Sequence, residues 1–315
     1  MFKTKICDLL NIEAPILQGG MAWVATAELA AAVSNAGGLG VVAAGNAPAE
    51  IVEEQIVKTR QLTDKPFGVN IMLLSPFIDE VVEVVHRQKV PVVTTGAGNP
   101  GKYMAYLKEY GAKIIPVVPS VALAKRMERA GSDAIIVEGT EAGGHIGELT
   151  TMALVPQAAQ AVSIPVIAAG GIADGRGFLA ALSLGAQAVQ VGTRFVCSTE
   201  CEAHDAYKEM LVKAGDRDAV VTARSTGHPV RVLKNRFVKE LLAIEKEGIS
   251  LEDLEQMGAG KLRIAVQDGN IQDGSVMAGQ IAGLINDIKP CKEIITGILQ
   301  DASDQLEKLN SLKGE

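Results

Sequence analysis

Along the first two hundred residues, short apolar runs rich in Val and Ile alternate with stretches whose apolar positions recur every three or four residues. The runs cover 14–17, 38–43, 67–72, 90–94, 113–118, 134–137, 165–168 and 187–191. Continuous apolar character over so few residues is the mark of strands buried on both faces. Between them the pattern predicts helices such as 26–35, 49–61 and 77–88, the last with Val81, Val84 and Val85 in an i, i+3, i+4 stripe. Strand–helix alternation means right-handed parallel units. Eight such units predict a (β/α)8 TIM barrel, with a doubly wound open sheet as the rival. One feature favours the barrel. Glycines or polar residues follow most strands at the same end: Gln18-Gly19-Gly20, Ala44-Gly45-Asn46, Asn70, Thr95-Gly96, Glu138-Gly139, Gly170-Gly171 and Gly192-Thr193. In a barrel these converge on the ring where active sites are built.

After about Cys197 the alternation stops. Helical patterns are predicted over 202–214, 231–248 and 250–256, and two more over 274–288 and 292–309. The chain is accordingly divided into a barrel over 1–200, a smaller helical cap over 201–270 for substrate and cofactor, and C-terminal helices over 271–315 that pack back on the barrel. No Pro/Ser-rich linker separates them, so the cap is expected to rest on the barrel.

Composition narrows the class. With 315 residues, 48% hydrophobic, the chain has ample core and too little net charge, −7, to be disordered. Its 33 glycines follow no G-X-Y period and read as tight turns. The acidic balance argues against a nucleic-acid-binding surface. No apolar stretch of about 18 residues offers a membrane span, and no secretory signal opens the chain. Four cysteines are too few for a disulfide framework. Cys197 and Cys201, without a nearby His or second Cys pair, make a poor zinc site, so no metal is expected. A cytoplasmic setting follows from these readings.

Four segments could carry chemistry. Ala169-Gly170-Gly171 and Gln190-Val191-Gly192-Thr193 sit after the seventh and eighth strands, where barrels commonly bind a phosphate through backbone N–H groups and a helix N-terminus. The plain alternative is a pair of ordinary βα turns. Glu138-Gly139-Thr140-Glu141-Ala142-Gly143-Gly144-His145 sets a histidine among glycines, where an imidazole can approach a flat ligand and act as acid, base or hydrogen-bond donor. A mobile surface loop with an incidental His is the bland reading. The N-terminal Gln18-Gly19-Gly20-Met21-Ala22-Trp23 would offer backbone groups at the first strand's exit, with Trp23 either there or in plain packing. Last, Arg224, Arg231, Lys234, Arg236 and Lys239 make a basic segment in an acidic protein, a solvated face or a dock for phosphates or an acidic partner. No Ser–His–Asp or HExxH pattern competes.

Taken together, PILQGGMA, GTEAGGHIG, IPVIAAGGIADGRG and AVQVGTRF resemble the flavin-dependent nitronate monooxygenase and enoyl-acyl carrier protein reductase II superfamily. Past the barrel, RFVCSTECEAHDAYKEMLVKAG, TGHPVRVLKNRF and DGSVMAGQIAGLI resemble its reductase branch, the FMN-dependent enoyl-acyl carrier protein reductases of bacterial type II fatty acid synthesis. The resemblance implies bound FMN, with Gly20, Met21, Ala22 and Asn70 lining the flavin and Glu138, Gly143 and Gly144 beside its ring. It puts Ala169, Gly170, Gly171, Gln190, Gly192 and Thr193 at the phosphate turns, and brings Met277, Ala278 and Gln280 back over the ring. It implies two half-reactions: hydride from NADH or NADPH to the flavin, then to the β-carbon of an enoyl thioester on acyl carrier protein, with a proton added at the α-carbon. His145 would orient or polarise the thioester carbonyl, or donate that proton. It implies a homodimer. Nothing of Rossmann type is present to separate NADH from NADPH. The rival on the same fold is a nitronate monooxygenase, in which the loop histidine is a base and oxygen reoxidises the flavin. A non-redox barrel lyase or isomerase with a phosphorylated substrate is the third reading.

Overall fold

The computed structural model describes residues 2–248 and 250–312. Among them, eleven strands follow in chain order: β1 (Ile16–Gln18), β2 (Gly40–Ala43), β3 (Phe67–Met72), β4 (Val92–Gly96), β5 (Lys113–Val118), β6 (Ile135–Glu138), β7 (Gly144–His145), β8 (Val166–Ala169), β9 (Ala188–Val191), β10 (Ala219–Thr222) and β11 (Val230–Leu233). Eight of them form one parallel sheet in the order β1-β9-β8-β6-β5-β4-β3-β2.

The two ends of that order meet. Leu17 bridges Leu39 in parallel, with Gln18 N–H donating to the Leu39 carbonyl at 2.9 Å and Leu39 N–H to Ile16 at 3.0 Å. The Gln18 side chain staples the same seam, accepting from Val41 N–H at 3.0 Å and donating to its carbonyl at 3.1 Å. A monotonic strand order whose first and last members touch is a (β/α)8 barrel, and the open doubly wound sheet is set aside.

The period of two along each strand decides what faces inward. Leu17, Leu39, Val41, Val92, Ile115, Ile136, Ile167 and Ala188 form one buried cluster inside the ring, together with Ile6, Cys7 and Leu10 of helix Lys5–Leu10. Their alternates, such as Ile16, Val93, Ile114, Ile135, Val166 and Val189, pack outward against the helices. That leaves only one end of the barrel for a ligand, the end where the strands finish.

The last strand has no full helix of its own immediately after it. β9 runs into a four-residue turn of helix, Thr193–Val196, and the chain then departs into the lid. Helix Cys291–Ser311 returns to pack against helices Gly175–Ser183 and Ala27–Asn35, filling the eighth helix position. The lid is thus inserted between the eighth strand and the eighth helix. Leu233, Ala265, Val266, Val276, Ile281 and Ile285 share one buried cluster with Phe178, Val189 and Phe195 of the barrel, so the lid is seated on it.

The lid is less helical than its sequence predicts. Helices Asp205–Val212, Arg236–Glu247 and Leu251–Gly258 fall on expected segments. Residues 219–222 and 230–233, however, are an antiparallel ribbon, which adds β7 from the barrel loop as its third strand. Arg231, placed at the start of a predicted helix, is therefore in a strand, and the helix begins only at the Asn235 cap, whose side chain accepts from Val238 N–H at 2.8 Å. The expected helix over 274–288 is an irregular segment with a single 3-10 turn, Gln280–Leu284. Val-rich strand propensity in VRVL and AVVT outweighs the weak helical spacing that the eye follows through them.

Candidate functional site

The ends of β6, β8 and β9 carry the phosphate-type turns. Gly170 and Gly171 both have left-handed backbones, φ +89° and +74°, and a Cβ at Gly170 would stand 2.8 Å from the Gly139 carbonyl. Only glycine fits such a turn without strain. Among the described residues, no acceptor takes the N–H groups of Gly170, Gly171, Gly192 or Thr193. Four free donors gathered at strand ends make a cradle for an anion. The helix N-terminus expected to help is spent elsewhere, because Asp174 caps helix Gly175–Ser183 by accepting from Gly177 N–H at 3.1 Å. The donors at this mouth belong to turns.

Glu141 holds the β6 loop against that cradle. Its carboxylate accepts from Thr151 N–H at 2.9 and 3.0 Å, capping helix Thr151–Ala161 from a distance in sequence. The Thr151 hydroxyl lies 3.0 Å from the same carboxylate and 2.9 Å from the Gly170 carbonyl, so its one proton is shared between the two loops. The Glu141 carbonyl accepts from Gln280 N–H at 2.9 Å. Sequence reading overlooked this buttress; the signal was an acidic residue ten positions before a Thr-Thr helix start.

β11 gathers the rest. One of its edges pairs with β10; the other pairs first with Gly144 and His145, then bridges Met277, with Leu233 N–H donating to Val276 at 2.8 Å. The barrel loop, the lid and the returning tail thus share one strand. A Cβ at Gly143 would stand 2.6 Å from the Ala278 backbone, Gly279 N–H donates to Thr193 Oγ1 at 3.0 Å, and Tyr207 Oη donates to the Met277 carbonyl at 2.8 Å.

The residues singled out in the sequence divide accordingly. Gly143, Gly144, Thr193, Met277 and Ala278 are brought together, while Gln280 joins them by its backbone and leaves its side chain exposed. Gly20 is pressed on the Asn70 side chain, whose amide donates to Thr94 Oγ1 at 2.9 Å, and Met21 Sδ lies near Gly192. Ala22 sits beside Gly45, away from the tail. The Ala169 methyl is buried inside the ring, and its carbonyl accepts from Gly139 N–H at 3.0 Å. Gln190 is buried against Gly19, and among the described residues its amide has no hydrogen-bond partner. Trp23 has a left-handed backbone, φ 65°, strained for an aromatic residue. Its ring lies under the Arg263 guanidinium at 5.0 Å, tying the mouth to lid helix Lys261–Gln267.

Two titratable groups stand out. Burial pushes the Glu138 carboxyl up to about 7, and among the described residues its side chain makes no hydrogen bond. His145 is at the surface of the mouth, yet the protein around it and then the charge of His228 lower its pKa, leaving a neutral imidazole at neutral pH. By contrast, Cys7, Cys197, Cys201 and Cys291 are all buried free thiols, and burial pushes Cys197 and Cys291 up to about 12, out of reach of thiolate chemistry. Among the described residues no cluster of three His, Cys, Asp or Glu could hold a metal, and no helix is long and apolar enough to cross a membrane.

Free N–H groups at the β8 and β9 ends, a protonatable carboxyl at the end of β6, a neutral histidine in the following loop and a lid paired with that loop make this mouth the candidate site of the (β/α)8 barrel. The chain belongs to the nitronate monooxygenase family, whose model matches residues 3–82 and 77–301, and it is an oxidoreductase. FabK from Thermotoga maritima superposes with a TM-score of 0.96 at 54% identity, over 99% of this chain and 100% of that one. A nitroalkane oxidase from Streptomyces ansochromogenes superposes at 0.86 with 29% identity, over 96% and 99%. Among curated relatives, a 5-hydroxy-7a-methyl-1-oxo-octahydro-indene-4-carboxyl-CoA dehydrogenase of Mycobacterium tuberculosis is 34% identical, over 98% of this chain and 99% of its own length. A probable nitronate monooxygenase of Staphylococcus saprophyticus is 33% identical, over 97% and 99%.

Proposed function

We propose that the protein is an FMN-dependent enoyl-acyl carrier protein reductase, using NADH or NADPH to saturate a trans-2-enoyl thioester. The observation that carries this reading is the end-to-end likeness to FabK at 54% identity, lid included, against 29%, 34% and 33% for the relatives with other printed names described above. The site fits the cofactor. Free N–H groups at Gly170, Gly171, Gly192 and Thr193 would hold its phosphate. The ring would lie among Gly20, Met21, Ala22, Asn70, Gln190, Glu138, Gly143 and Gly144, under Met277, Ala278 and Gln280. Bound FMN would supply the two-electron chemistry between the nicotinamide and the enoyl β-carbon.

The protein's own part is orientation and charge. Neutral His145 has an N–H to offer to the thioester carbonyl, where negative charge develops. Gly143 and Gly144 keep side chains out of the plane beside it. Glu138, protonated below about 7, offers a hydrogen-bond donor and not a fixed charge at the ring. The 276–280 segment, seated on Gly143 and Thr193, covers that side of the mouth.

The second reading, a nitronate monooxygenase, rests on the family and on the Staphylococcus saprophyticus relative; there neutral His145 would accept a proton from the nitroalkane. Anaerobic mixing of the yellow protein with NADH or NADPH separates the two. Bleaching of the flavin, followed by recovery on adding crotonyl thioester, is expected. Bleaching only by a nitronate overturns the reductase reading.

A further inference from the structure

The basic segment of the lid is not one surface. Arg236 is paired with Asp273 and exposed, and Lys234, between the ribbon and the following helix, and Lys239, on that helix, are exposed too. Arg231 is different: it is only 6% exposed. The period of two explains its direction. Val230 and Val232 pack with Phe237 and Val238 in the lid's own small core, whereas Leu233 joins the barrel cluster. Arg231 is on the Leu233 side, in register with Val221 across the ribbon and with Gly144 on the other edge. It is the cation on the barrel-facing side of that strand.

Its compensation is incomplete. Arg231 Nε donates to the Thr140 carbonyl at 3.0 Å, and among the described residues neither terminal nitrogen of the guanidinium has a partner. Glu141 is the nearest opposite charge, but both of its oxygens are taken by Thr151 and no ion pair with Arg231 forms. Burial, and after it the like charge of exposed Arg224, lowers the guanidinium's pKa from its ordinary value. The Arg231 side chain is largely buried while its unpartnered terminal nitrogens reach solvent, so an arriving anion would meet a cation already stripped of most of its water. The planar fork that stays free suits the oxygens of a phosphate.

We propose that Arg231, assisted by Arg224, binds the phosphate-ester arm of a substrate at the lip of the mouth, separately from the turn cradle of β8 and β9. Its register with Gly144, the residue before His145, places the site beside the loop that carries the histidine, where it would hold that arm while the reacting end reaches the barrel. The chemistry is a phosphodiester or pyrophosphate, which both candidate substrates of the preceding reading carry: a nicotinamide dinucleotide and a phosphopantetheine thioester. The inference rests on that reading for the identity of the arm but not for the existence of the site.

The test is calorimetric titration of the flavin-loaded protein and its Arg231→Met and Arg231→Lys variants with pyrophosphate, NADPH and crotonyl-CoA, beside steady-state kinetics with crotonyl-N-acetylcysteamine, which has no phosphate. Flavin content and melting curves establish that the variants fold. Pyrophosphate binding should weaken by roughly ten- to hundredfold in Arg231→Met, the loss expected for a charge-assisted pair of hydrogen bonds, and partly recover in Arg231→Lys. Weakening of NADPH alone names the dinucleotide as the source, and weakening of crotonyl-CoA alone names the thioester; the KM for the phosphate-free thioester stays put. Unchanged binding of all three ligands overturns the proposal, as does an equal rise in KM for the phosphate-free thioester. If the wild type binds pyrophosphate through Arg231 but reduces no enoyl thioester, the site stands and the reductase reading falls.

Discussion

Glu138 and His145 are both titratable groups that the fold pushes toward neutrality, and each has a pH signature. The Glu138 pKa is raised from 4.5 to about 7 in the folded protein. The native state therefore holds that proton more tightly than the unfolded chain, and stability falls as pH climbs from about 4.5 to about 7. Glu138→Gln removes the titration. Its melting temperature should match that of the wild type near pH 4.5, rise above it through this window, and keep a constant lead above pH 7. A lead that shrinks with rising pH would mean that the carboxylate is stabilised by a partner. For His145 the prediction concerns rate. On the reductase reading proposed above, His145→Gln should slow recovery of flavin colour by enoyl thioester by about 10²- to 10⁴-fold, the worth of a positioned acid–base or polarising group, and leave bleaching by nicotinamide unchanged in stopped-flow absorbance. Because its pKa is lowered, the wild-type rate should hold below the ordinary imidazole value of about 6.5. Equal losses in both half-reactions would assign His145 to holding the cofactor.

At the scale of elements, the strands were legible and the lid was not. β3 and β5 match their predicted runs end to end, FGVNIM and KIIPVV, because most of their apolar positions on both faces are buried and a barrel strand is written mainly in such residues. The ribbon of β10 and β11 was missed because VRVL runs into the start of the helix predicted over 231–248, AVVT is too short a run to announce a strand, and the third strand, Gly144–His145, lies far away in sequence in a glycine loop. The tight turns at Gly170-Gly171 could be read from paired glycines after a strand. Glu141's buttress and the buried state of Arg231 could not, because both depend on which loop the fold sets opposite them. Helix packing offers a direct check. Gly175 begins a helix that crosses helix Cys291–Ser311 so closely that a Cβ there would stand 2.6 Å from the Ile298 carbonyl. Gly175→Ala should cost about 1–3 kcal/mol through overpacking. Gly177→Ala, two residues on, meets nothing nearer than 3.4 Å and should be neutral or stabilising by up to about 1 kcal/mol from helix propensity. Denaturant midpoints of the two variants distinguish backbone crowding from a general intolerance of the first turn.

For the whole molecule, the barrel was visible because its eight units repeat, and repetition survives errors in any one of them. What no repeat announces is that the eighth helix is postponed by about ninety-five residues while the lid is laid down. That detour has a consequence during synthesis. A ribosome extends the chain at roughly 5–20 residues per second, N-terminus first. All eight barrel strands therefore exist for some seconds before Cys291–Ser311 does. In that interval helices Ala27–Asn35 and Gly175–Ser183 present to the crowded cell the greasy seam that Ile294, Ile295, Ile298 and Ala302 later cover. The nascent barrel carries its most adhesive surface at the moment when its mouth is already framed, and the stretch that ends that exposure is among the last to be made.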